Sequence, residues 1–415
     1  MSAPILSPTL AANEKVQKLR AQGKQVFHMG FGQAPFPVHP RLVTALQQRA
    51  HEKDYLPVGG LPELQQAVLQ HQARLTGIDP DAYDVLVAPG SKLILYAAQM
   101  AIAGDILLPV PSWVSYAPQA RMLGQNVVPV VASVSDKGLT LNADTLQTAV
   151  EDARMRGLNP TKLLINFPGN PTGITISESQ LISIAAFCKD NAITLMSDEI
   201  YGRLSFDRLY RTAASHSPAG AIVSTGLSKH LSLGGWRLGV GLVPKAMTGL
   251  IDHLNNIASE TWSCVSTPIQ WAAVEAYSSH DDIEQFIDNS ITIHQCVNSF
   301  VAERLTTMGI PCPKPQGAFY TWPDFTQIAS RRKLTTSTEL ADYLLEQHAI
   351  VTLPGSAFGE SPSAMRLRLS GCDYDGGQAM QLLDKVGADS LSDHLEILAP
   401  NVCKTIEQFE RFACV

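Results

Sequence analysis

The strongest constraint on the fold of this chain is a repeated alternation of short apolar runs with longer amphipathic stretches. The apolar runs have the length of buried strands, and the amphipathic stretches between them show helical periodicity. Strands that alternate with helices predict a mostly parallel sheet covered on both faces, and therefore an α/β fold. The predicted strands are residues 84–87, 105–109, 162–166, 193–196, 221–224 and 239–243, and predicted helices between them include 61–76, 92–103 and 177–189.

The last hundred residues change in character. Long amphipathic stretches at 246–254 and 268–305 precede them, and we place a domain boundary inside the long helix near residue 290. A large domain is thus expected at 46–290 and a small α+β domain with a tail at 291–415. The elements predicted for the small domain are strands at 317–322, 350–352 and 365–369 and helices at 337–347 and 377–386.

Composition excludes several classes of function. The 415 residues include 31 basic and 38 acidic ones, and the net charge of −7 disfavours nucleic acid and anionic membranes as partners. The seven scattered cysteines include no CxxC pair, so neither a disulfide framework nor a metal site is predicted. No uncharged apolar run reaches the roughly 18 residues of a membrane span. Residues 1–4 show no secretory signal, and we expect a cytoplasmic enzyme.

Three segments that follow predicted strands carry candidate functional residues. Residues 166–173, NFPGNPTG, predict a rigid turn-rich loop at a strand end, where open α/β sheets bind their ligands. Asp198 and Tyr201 follow the next strand, and Lys229 lies between a third strand and the glycine-rich residues 234–239. Burial at that position would lower the pKa of Lys229, as a Schiff-base amine requires. Taken singly, the three segments are also compatible with an ordinary loop, a helix cap and a surface lysine.

Together the segments resemble, in order and spacing, the fold type I aminotransferases of classes I and II, which use pyridoxal 5′-phosphate (PLP). This resemblance covers about residues 25–390 and implies a large domain with a mostly parallel seven-stranded sheet between helices, beside a smaller α+β domain. It also places residues 1–45 against the small domain. The matching motifs are NPTG at 170–173, DEIY at 198–201, SK at 228–229, GWRLG at 235–239 and the arginine before Leu-Ser at 368.

The resemblance assigns roles around the cofactor ring. It implies that Lys229 forms the Schiff base and moves a proton between the substrate α-carbon and the cofactor. Asp198 would pair with the pyridine nitrogen, while Tyr201 and Asn170 would hydrogen-bond the ring oxygen. Trp113 would stack on the ring, although core packing is the commoner explanation of a single tryptophan. Asn170 and Trp113 would also contact the substrate.

A phosphate site is predicted at the beginning of the predicted helix 92–103. The N–H groups and the helix dipole there can receive a dianion. Arg237 would add a bidentate clamp and Ser228 a hydroxyl. Tyr55 resembles the tyrosine that reaches the phosphate of the neighbouring subunit, which implies a homodimer with shared active sites. The residues expected to supply the N–H groups are Gly90, Ser91 and Lys92.

Substrate binding is expected from Arg368, which matches the arginine that holds the substrate α-carboxylate. Arg366 lies two residues earlier and would share the same face of a strand, so the residues alone leave both candidates open, and the family register favours Arg368. Gly32 would add a backbone contact to the same carboxylate. The family often has Glu-Pro-Asp-Phe after this glycine, whereas this chain has Gln33-Ala-Pro-Phe36.

Three functions are compatible with these motifs. The first is a ping-pong transfer of an amino group from an L-amino acid to a 2-oxo acid. The second is another PLP reaction at the α- or β-carbon, such as that of a lyase, decarboxylase, racemase or cyclase. The third is a non-enzymatic PLP sensor. The sequence leaves dicarboxylic, aromatic and aliphatic donors open, and it leaves open whether the tail from residue 387 packs on the small domain or on a partner.

Overall fold

The computed structural model describes residues 8–135 and 138–414, so residues 1–4, on which the absence of a secretory signal was predicted, lie outside the described part. Short 3-10 turns link several of the regular elements. The helices are α1 (Pro8–Ala21), α2 (Pro40–Arg49), α3 (Pro62–Thr76), α4 (Ser91–Ala101), α5 (Tyr116–Met122), α6 (Ala143–Met155), α7 (Glu178–Asp190), α8 (Leu250–Thr261), α9 (Thr267–Tyr277), α10 (Asp281–Thr307), α11 (Thr326–Arg331), α12 (Ser337–His348), α13 (Gly376–Val386), α14 (Leu395–Leu398) and α15 (Pro400–Ala413). The strands are β1 (Phe27–His28), β2 (Tyr83–Ala88), β3 (Asp105–Val110), β4 (Val127–Val131), β5 (Val134–Ser135), β6 (Gly138–Leu139), β7 (Pro160–Asn166), β8 (Thr194–Asp198), β9 (Ala221–Gly226), β10 (Gly239–Pro244), β11 (Tyr320–Thr321), β12 (Ile350–Val351), β13 (Leu353–Pro354) and β14 (Leu367–Ser370).

The centre of the large domain is a seven-stranded sheet in the order β2-β10-β9-β8-β7-β3-β4. Strand β10 runs antiparallel to both of its neighbours, and the other strands all run in one direction. The carboxyl ends of β2, β3, β7, β8 and β9 therefore meet at one edge of the sheet. The predicted mostly parallel α/β fold is confirmed.

Helices cover both faces of this sheet because its strands are apolar on both sides. Along β7, Leu163 and Ile165 point into the core formed with α6 and α7, whereas Leu164 points to the opposite core with α4 and α5. Capping boxes fix where two of these helices begin, with Asn142 before α6 and Ser177 before α7. The strand ends are thereby held in register at the edge where the candidate residues lie.

Strand β4 is the strand of the seven-stranded sheet that the sequence pattern did not predict, and the short strands β1, β5 and β6 outside that sheet were not predicted either. Strand β4 lies at the edge of the sheet beside β3, and its residues alternate between buried and exposed. Pro129, in the middle of the strand, is one of the exposed residues. A proline is tolerated there because an edge strand has N–H groups that need no ladder partner. The predicted helix at 268–305 is in fact two helices, α9 and α10, separated at residues 278–280.

A smaller α+β region follows α10. Strands β11, β14 and β13 form an antiparallel sheet, and β1 from the N-terminal segment pairs in parallel with β12. The boundary predicted near residue 290 falls inside α10, and the division into residues 1–45, 46–290 and 291–415 stays a prediction.

The C-terminal helix α15 packs on the small-domain elements of its own chain. Phe409 and Phe412 are completely buried beside Phe325 of the small domain. The guanidinium of Arg332 lies 4.7 Å from the ring centroid of Phe412 and donates to that residue's backbone carbonyl at 2.6 Å. These contacts place the last helix of the tail on its own chain, where the sequence left both the small domain and a partner open.

None of the helices in the described part of the chain combines the length and the apolar character needed to cross a membrane.

Candidate active site

A cavity of about 550 Å³ opens at the carboxyl edge of the large sheet, between that sheet and the small-domain residues Tyr320 and Arg368. All of the residues predicted for the site line this cavity except Gly90 and Tyr55. Their roles remain predictions, but their convergence on one space is a property of the fold. The predicted residues that line it are Gly32, Ser91, Lys92, Trp113, Asn170, Asp198, Tyr201, Ser228, Lys229, Arg237 and Arg368.

Asp198 places a buried carboxylate in the wall of the cavity at the end of β8. Tyr116 donates a 2.7 Å hydrogen bond to one carboxylate oxygen, and the N–H of Ile200 donates to the other at 3.3 Å. Burial raises the pKa of Asp198 to about 6, although the hydrogen bonds and the charge of Lys229 act in the opposite direction. A cation brought next to this carboxylate would therefore be held strongly.

Lys229 follows β9 and projects its amine into the same cavity. The amine donates a 2.8 Å hydrogen bond to the backbone carbonyl of Gly32, and it lies 5.6 Å from the ring centroid of Tyr201. Burial lowers the pKa of Lys229 to about 8, and the positive charge of Arg368 adds to this effect. Much of this amine is therefore uncharged, and hence nucleophilic, at mildly alkaline pH.

Arg368 on β14 presents a buried guanidinium that is only partly satisfied by protein groups. It donates to the side-chain oxygen of Asn170 at 3.1 Å and to the backbone carbonyl of Gly30 at 2.5 Å. Its Nε has no hydrogen-bond partner among the described residues. A buried, unneutralised guanidinium with an unpaired donor is a binding site for an anion such as a carboxylate.

Arg366 points to a different part of the small domain. Its guanidinium donates to Glu360 at 2.8 Å and lies 3.5 Å from a carboxylate oxygen of Asp324. Both carboxylates neutralise it outside the cavity. Of the two arginines that the sequence left open, Arg368 is the one that lines the cavity.

The opposite end of the cavity is built to receive an anion. Gly90 precedes the first turn of α4 at φ +91°, and a side chain there would lie 2.3 Å from the guanidinium of Arg237. Arg237 donates to the backbone carbonyls of Gly234 and Pro89 at 2.9 and 3.2 Å. The free N–H groups of the first helical turn and this guanidinium thus form a cradle that a Cβ would fill. Gly90 lies next to the Arg237 guanidinium and does not itself line the cavity.

Trp113 forms one side of the cavity. Its ring packs edge-on against Tyr116 with 5.3 Å between the centroids, and the amine of Lys92 lies 5.0 Å from the ring centroid of Trp113. Tyr55 lies outside the cavity and is 91% exposed in the single chain.

The donor set fits PLP at each of its polar groups. The cradle matches the phosphate dianion, the Asp198 carboxylate matches a protonated pyridine nitrogen, and the Lys229 amine matches the aldehyde. The buried hydroxyl of Tyr201 and the amide of Asn170 are available for the ring oxygen. The unpaired Nε of Arg368 is left over for a substrate carboxylate.

Two tyrosines of the cavity wall were missed from the sequence. Tyr116 stands in the same segment as Trp113, and a hydrogen-bonding role could have been suspected from its place after a strand end. Tyr320 lies on β11, and its hydroxyl is 2.7 Å from that of Tyr201. Its sequence neighbours other than Thr321 are apolar, so the pattern indicated only a buried strand.

Comparison with known proteins agrees with this geometry. Residues 24–385 match the family described as aminotransferase class I and II, and the chain belongs to this family, whose members generally depend on PLP. The chain is therefore a transferase with the fold of the aspartate aminotransferases.

Individual relatives cover most of the chain. It is 31% identical over 381 residues to an aspartate aminotransferase of Bacillus sp. (strain YM-2), covering 87% of this chain and 91% of that protein. It is 32% identical over 373 residues to a probable aspartate/prephenate aminotransferase of Aquifex aeolicus, with the same coverage. The solved aspartate aminotransferase of Thermus thermophilus with maleate is 25% identical and superposes with a TM-score of 0.84, covering 99% of this chain and 97% of that one.

Proposed function

We propose that this chain is a PLP-dependent aminotransferase that moves the amino group of an acidic L-amino acid to a 2-oxo acid in a ping-pong reaction. The observation that carries the proposal is the common cavity of Lys229, Asp198 and Arg368. It combines a nucleophilic amine, a buried anion and a buried cation, which are the three charges that a cofactor-bound amino acid needs around it.

PLP supplies an electron-withdrawing ring that stabilises negative charge at the substrate α-carbon. The residues of this chain bind and orient it. Ser228, Arg237 and the N–H groups at the start of α4 hold the phosphate, and Asp198 holds the ring nitrogen in its protonated form. Tyr201 and Asn170 donate to the ring oxygen, and Trp113 covers one face of the ring.

Arg368 and Lys229 act on different parts of the substrate. Arg368, with the backbone of Gly32, holds the α-carboxylate and thereby orients the bonds of the α-carbon. Lys229 would take a proton from that carbon and deliver it to the cofactor. A carboxylate held in this way favours loss of the α-proton over loss of the carboxylate, which favours amino transfer over decarboxylation.

The acidic donor is proposed because the relatives carry names such as aspartate aminotransferase and because Lys92 lines the cavity. Its amine lies 5.0 Å from the ring centroid of Trp113, and burial and the charge of Arg237 lower its pKa. A second carboxylate on the substrate side chain would neutralise this amine. Neutral donors would leave it unpaired, at a cost in binding.

The test is a panel of amino donors scored by the absorbance of the bound cofactor. Aspartate and glutamate are expected to convert the cofactor to its amine form, and a 2-oxo acid is expected to restore the original spectrum. Release of ammonia or carbon dioxide in place of this reversible change would favour the alternative PLP reactions.

A variant tests the donor class separately. In Lys92→Met, kcat/KM for aspartate is expected to fall about tenfold or more, while that for phenylalanine changes little, because only the acidic donor loses a charged partner. Lys53→Met, which removes an exposed lysine, is the control. An equal loss for both donors would assign Lys92 to the cofactor instead of the substrate.

The assembly and location are further parts of the proposal. The exposed Tyr55 supports a homodimer in which each cavity receives this residue from the partner subunit. We also propose a cytoplasmic location, in keeping with seven scattered cysteines that include no CxxC pair. The net charge of −7 supports the absence of nucleic-acid partners.

A further inference from the structure

Tyr320 makes a contact in the cavity to which no role has yet been assigned. Its hydroxyl lies 2.7 Å from the hydroxyl of Tyr201, and both side chains are almost completely buried. The two rings meet edge-on, with 5.6 Å between their centroids. The two phenols therefore form a short hydrogen bond that is shielded from water, and either oxygen can act as its donor.

The position of Tyr320 is held from several sides. Its backbone pairs with Ser370 in the small-domain sheet, and its carbonyl lies only 2.1 Å from where a Cβ on Gly173 would stand. On the other side, a Cβ on Gly32 would lie 1.9 Å from the Tyr320 hydroxyl. Two glycines thus allow the backbone to close around this tyrosine, and the hydroxyl cannot turn away from Tyr201 without moving the cavity wall.

The charge around the pair selects the direction of the hydrogen bond. The guanidinium carbon of Arg368 lies 4.7 Å from the ring centroid of Tyr320. A positive charge beside a phenol makes its O–H a stronger donor, since it stabilises the negative charge that develops on the oxygen. The amine of Lys229 lies beside Tyr201, but at the longer distance of 5.6 Å from that ring centroid. The stronger effect therefore falls on Tyr320, which is the better donor of the pair, with the Tyr201 oxygen as its acceptor.

This direction matters because Tyr201 has a single O–H. If Tyr201 donated to Tyr320, it could not donate to the ring oxygen of the cofactor at the same time. We propose that Tyr320 is a positioning residue that donates to Tyr201 and thereby orients and polarises the Tyr201 hydroxyl as a donor to the ring oxygen of PLP. This inference rests on the proposed function and extends it to a residue outside the family motifs recognised in the sequence.

The test is the pH titration of the absorbance of the Lys229-bound cofactor. A hydrogen-bond donor at the ring oxygen lowers the affinity of this oxygen and the Lys229 nitrogen for the proton that they share. The midpoint of the titration therefore stays low. In Tyr320→Phe, the midpoint is expected to rise by about one pH unit, because Tyr201 loses the donor that orients and polarises it. An unchanged midpoint would overturn the proposal.

A double-mutant comparison separates this role from structural support. In a Tyr201→Phe background, Tyr320→Phe is expected to shift the midpoint no further, because its effect passes through the Tyr201 hydroxyl. Equal shifts in both backgrounds would contradict the inference.

Tyr374→Phe is the matched control, since it removes a partly buried tyrosine hydroxyl that contacts His294 away from the cavity. The control is expected to keep the wild-type midpoint. Loss of cofactor binding in Tyr320→Phe alone would also overturn the inference, because the phenol would then support the cavity itself. A wild-type protein that shows no cofactor absorbance would instead refute the proposed function.

Discussion

The amine of Lys229 donates a 2.8 Å hydrogen bond to the backbone carbonyl of Gly32, a residue 197 positions earlier in the chain. This contact joins the end of a central strand to the N-terminal segment that covers the cavity. The same segment provides the Gly30 carbonyl that accepts from Arg368. The candidate amine and the candidate carboxylate-binding group are therefore held by two carbonyls of one short segment.

The reactivity of Lys229 is expected to depend on pH with a midpoint near 8. Burial lowers the pKa of Lys229 to about 8 from an ordinary 10.5, and only the neutral amine is a nucleophile. The rate at which the cofactor-free protein forms its covalent link with PLP should rise with pH and level off above the midpoint. The link can be trapped with borohydride and located by mass spectrometry. A rate that is still rising at pH 10 would show an ordinary exposed lysine.

Replacing Asp198 is expected to stabilise the cofactor-free protein while weakening cofactor binding. The pKa of Asp198 is raised to about 6 from 3.8, so the ionised carboxylate is less favourable in the folded state than in the unfolded chain. At pH 7, Asp198→Asn should raise the free energy of unfolding by about 1–3 kcal/mol. As pH falls from 6 towards 4, the wild-type carboxyl becomes protonated in the folded state first, and this advantage should disappear.

The measurement is urea unfolding of both proteins across this pH range, with PLP affinity measured in parallel. Asp105→Asn is the control of opposite sign. Burial raises the pKa of Asp105, but hydrogen bonds from Asn159 and Asn126 outweigh it and lower that pKa. Its replacement should therefore destabilise the protein at pH 7. A loss of stability in Asp198→Asn at pH 7 would contradict the prediction.

A methyl group on Gly32 is expected to impair substrate binding more than cofactor binding. The Cβ would lie 1.9 Å from the hydroxyl of Tyr320 and 2.7 Å from its Cζ, so the ring or the segment must move. In Gly32→Ala, KM for the amino donor should rise about tenfold or more, because the segment also contacts Lys229 and Arg368.

The cofactor spectrum of Gly32→Ala should persist, since the phosphate cradle lies at the other end of the cavity. Gly220→Ala, whose new Cβ would meet a flexible serine hydroxyl at 3.0 Å, is the control and should behave as wild type. An unchanged KM in Gly32→Ala would contradict the prediction, because it would show that Tyr320 and the segment can move apart without impairing substrate binding.

Mixed dimers test whether Tyr55 acts across a subunit interface. Lys229→Ala and Tyr55→Ala are each expected to be nearly inactive alone. If Tyr55 completes the site of the partner, a dimer that contains one copy of each variant has one intact site. Unfolding and refolding the two together should then restore about a quarter of the wild-type sites. If Tyr55 acts within its own chain, mixing should restore no activity.

The sequence predicted the elements whose pattern is local. Each apolar run of the large sheet except β4 was predicted to within a few residues, because burial on both faces leaves a continuous apolar signature. The edge strand β4, with Pro129 and alternating exposure, lacks that signature. The break between α9 and α10 was missed because the amphipathic pattern continues on both sides of residues 278–280.

Within the candidate site, the motifs identified charged and turn-forming residues but not the tyrosines that support them. Lys229, Asp198 and Arg237 lie in segments of unusual composition, so their neighbourhood in the sequence is informative. Tyr116 and Tyr320 are buried aromatics, which sequence patterns do not distinguish from core residues. Their hydroxyl contacts with Asp198 and Tyr201 become visible only when the strands are assembled.

The sequence by itself determined the α/β class, the strand ends that carry the candidate residues and the resemblance to a PLP enzyme. Only the tertiary structure placed Arg368 in the cavity and Arg366 outside it, packed α15 on its own chain and paired Tyr320 with Tyr201. The physical reason is that strand and helix patterns depend on neighbours within a few residues. The direction in which an arginine or a tyrosine points, and the partner it meets, depend on contacts between segments that are far apart in the chain.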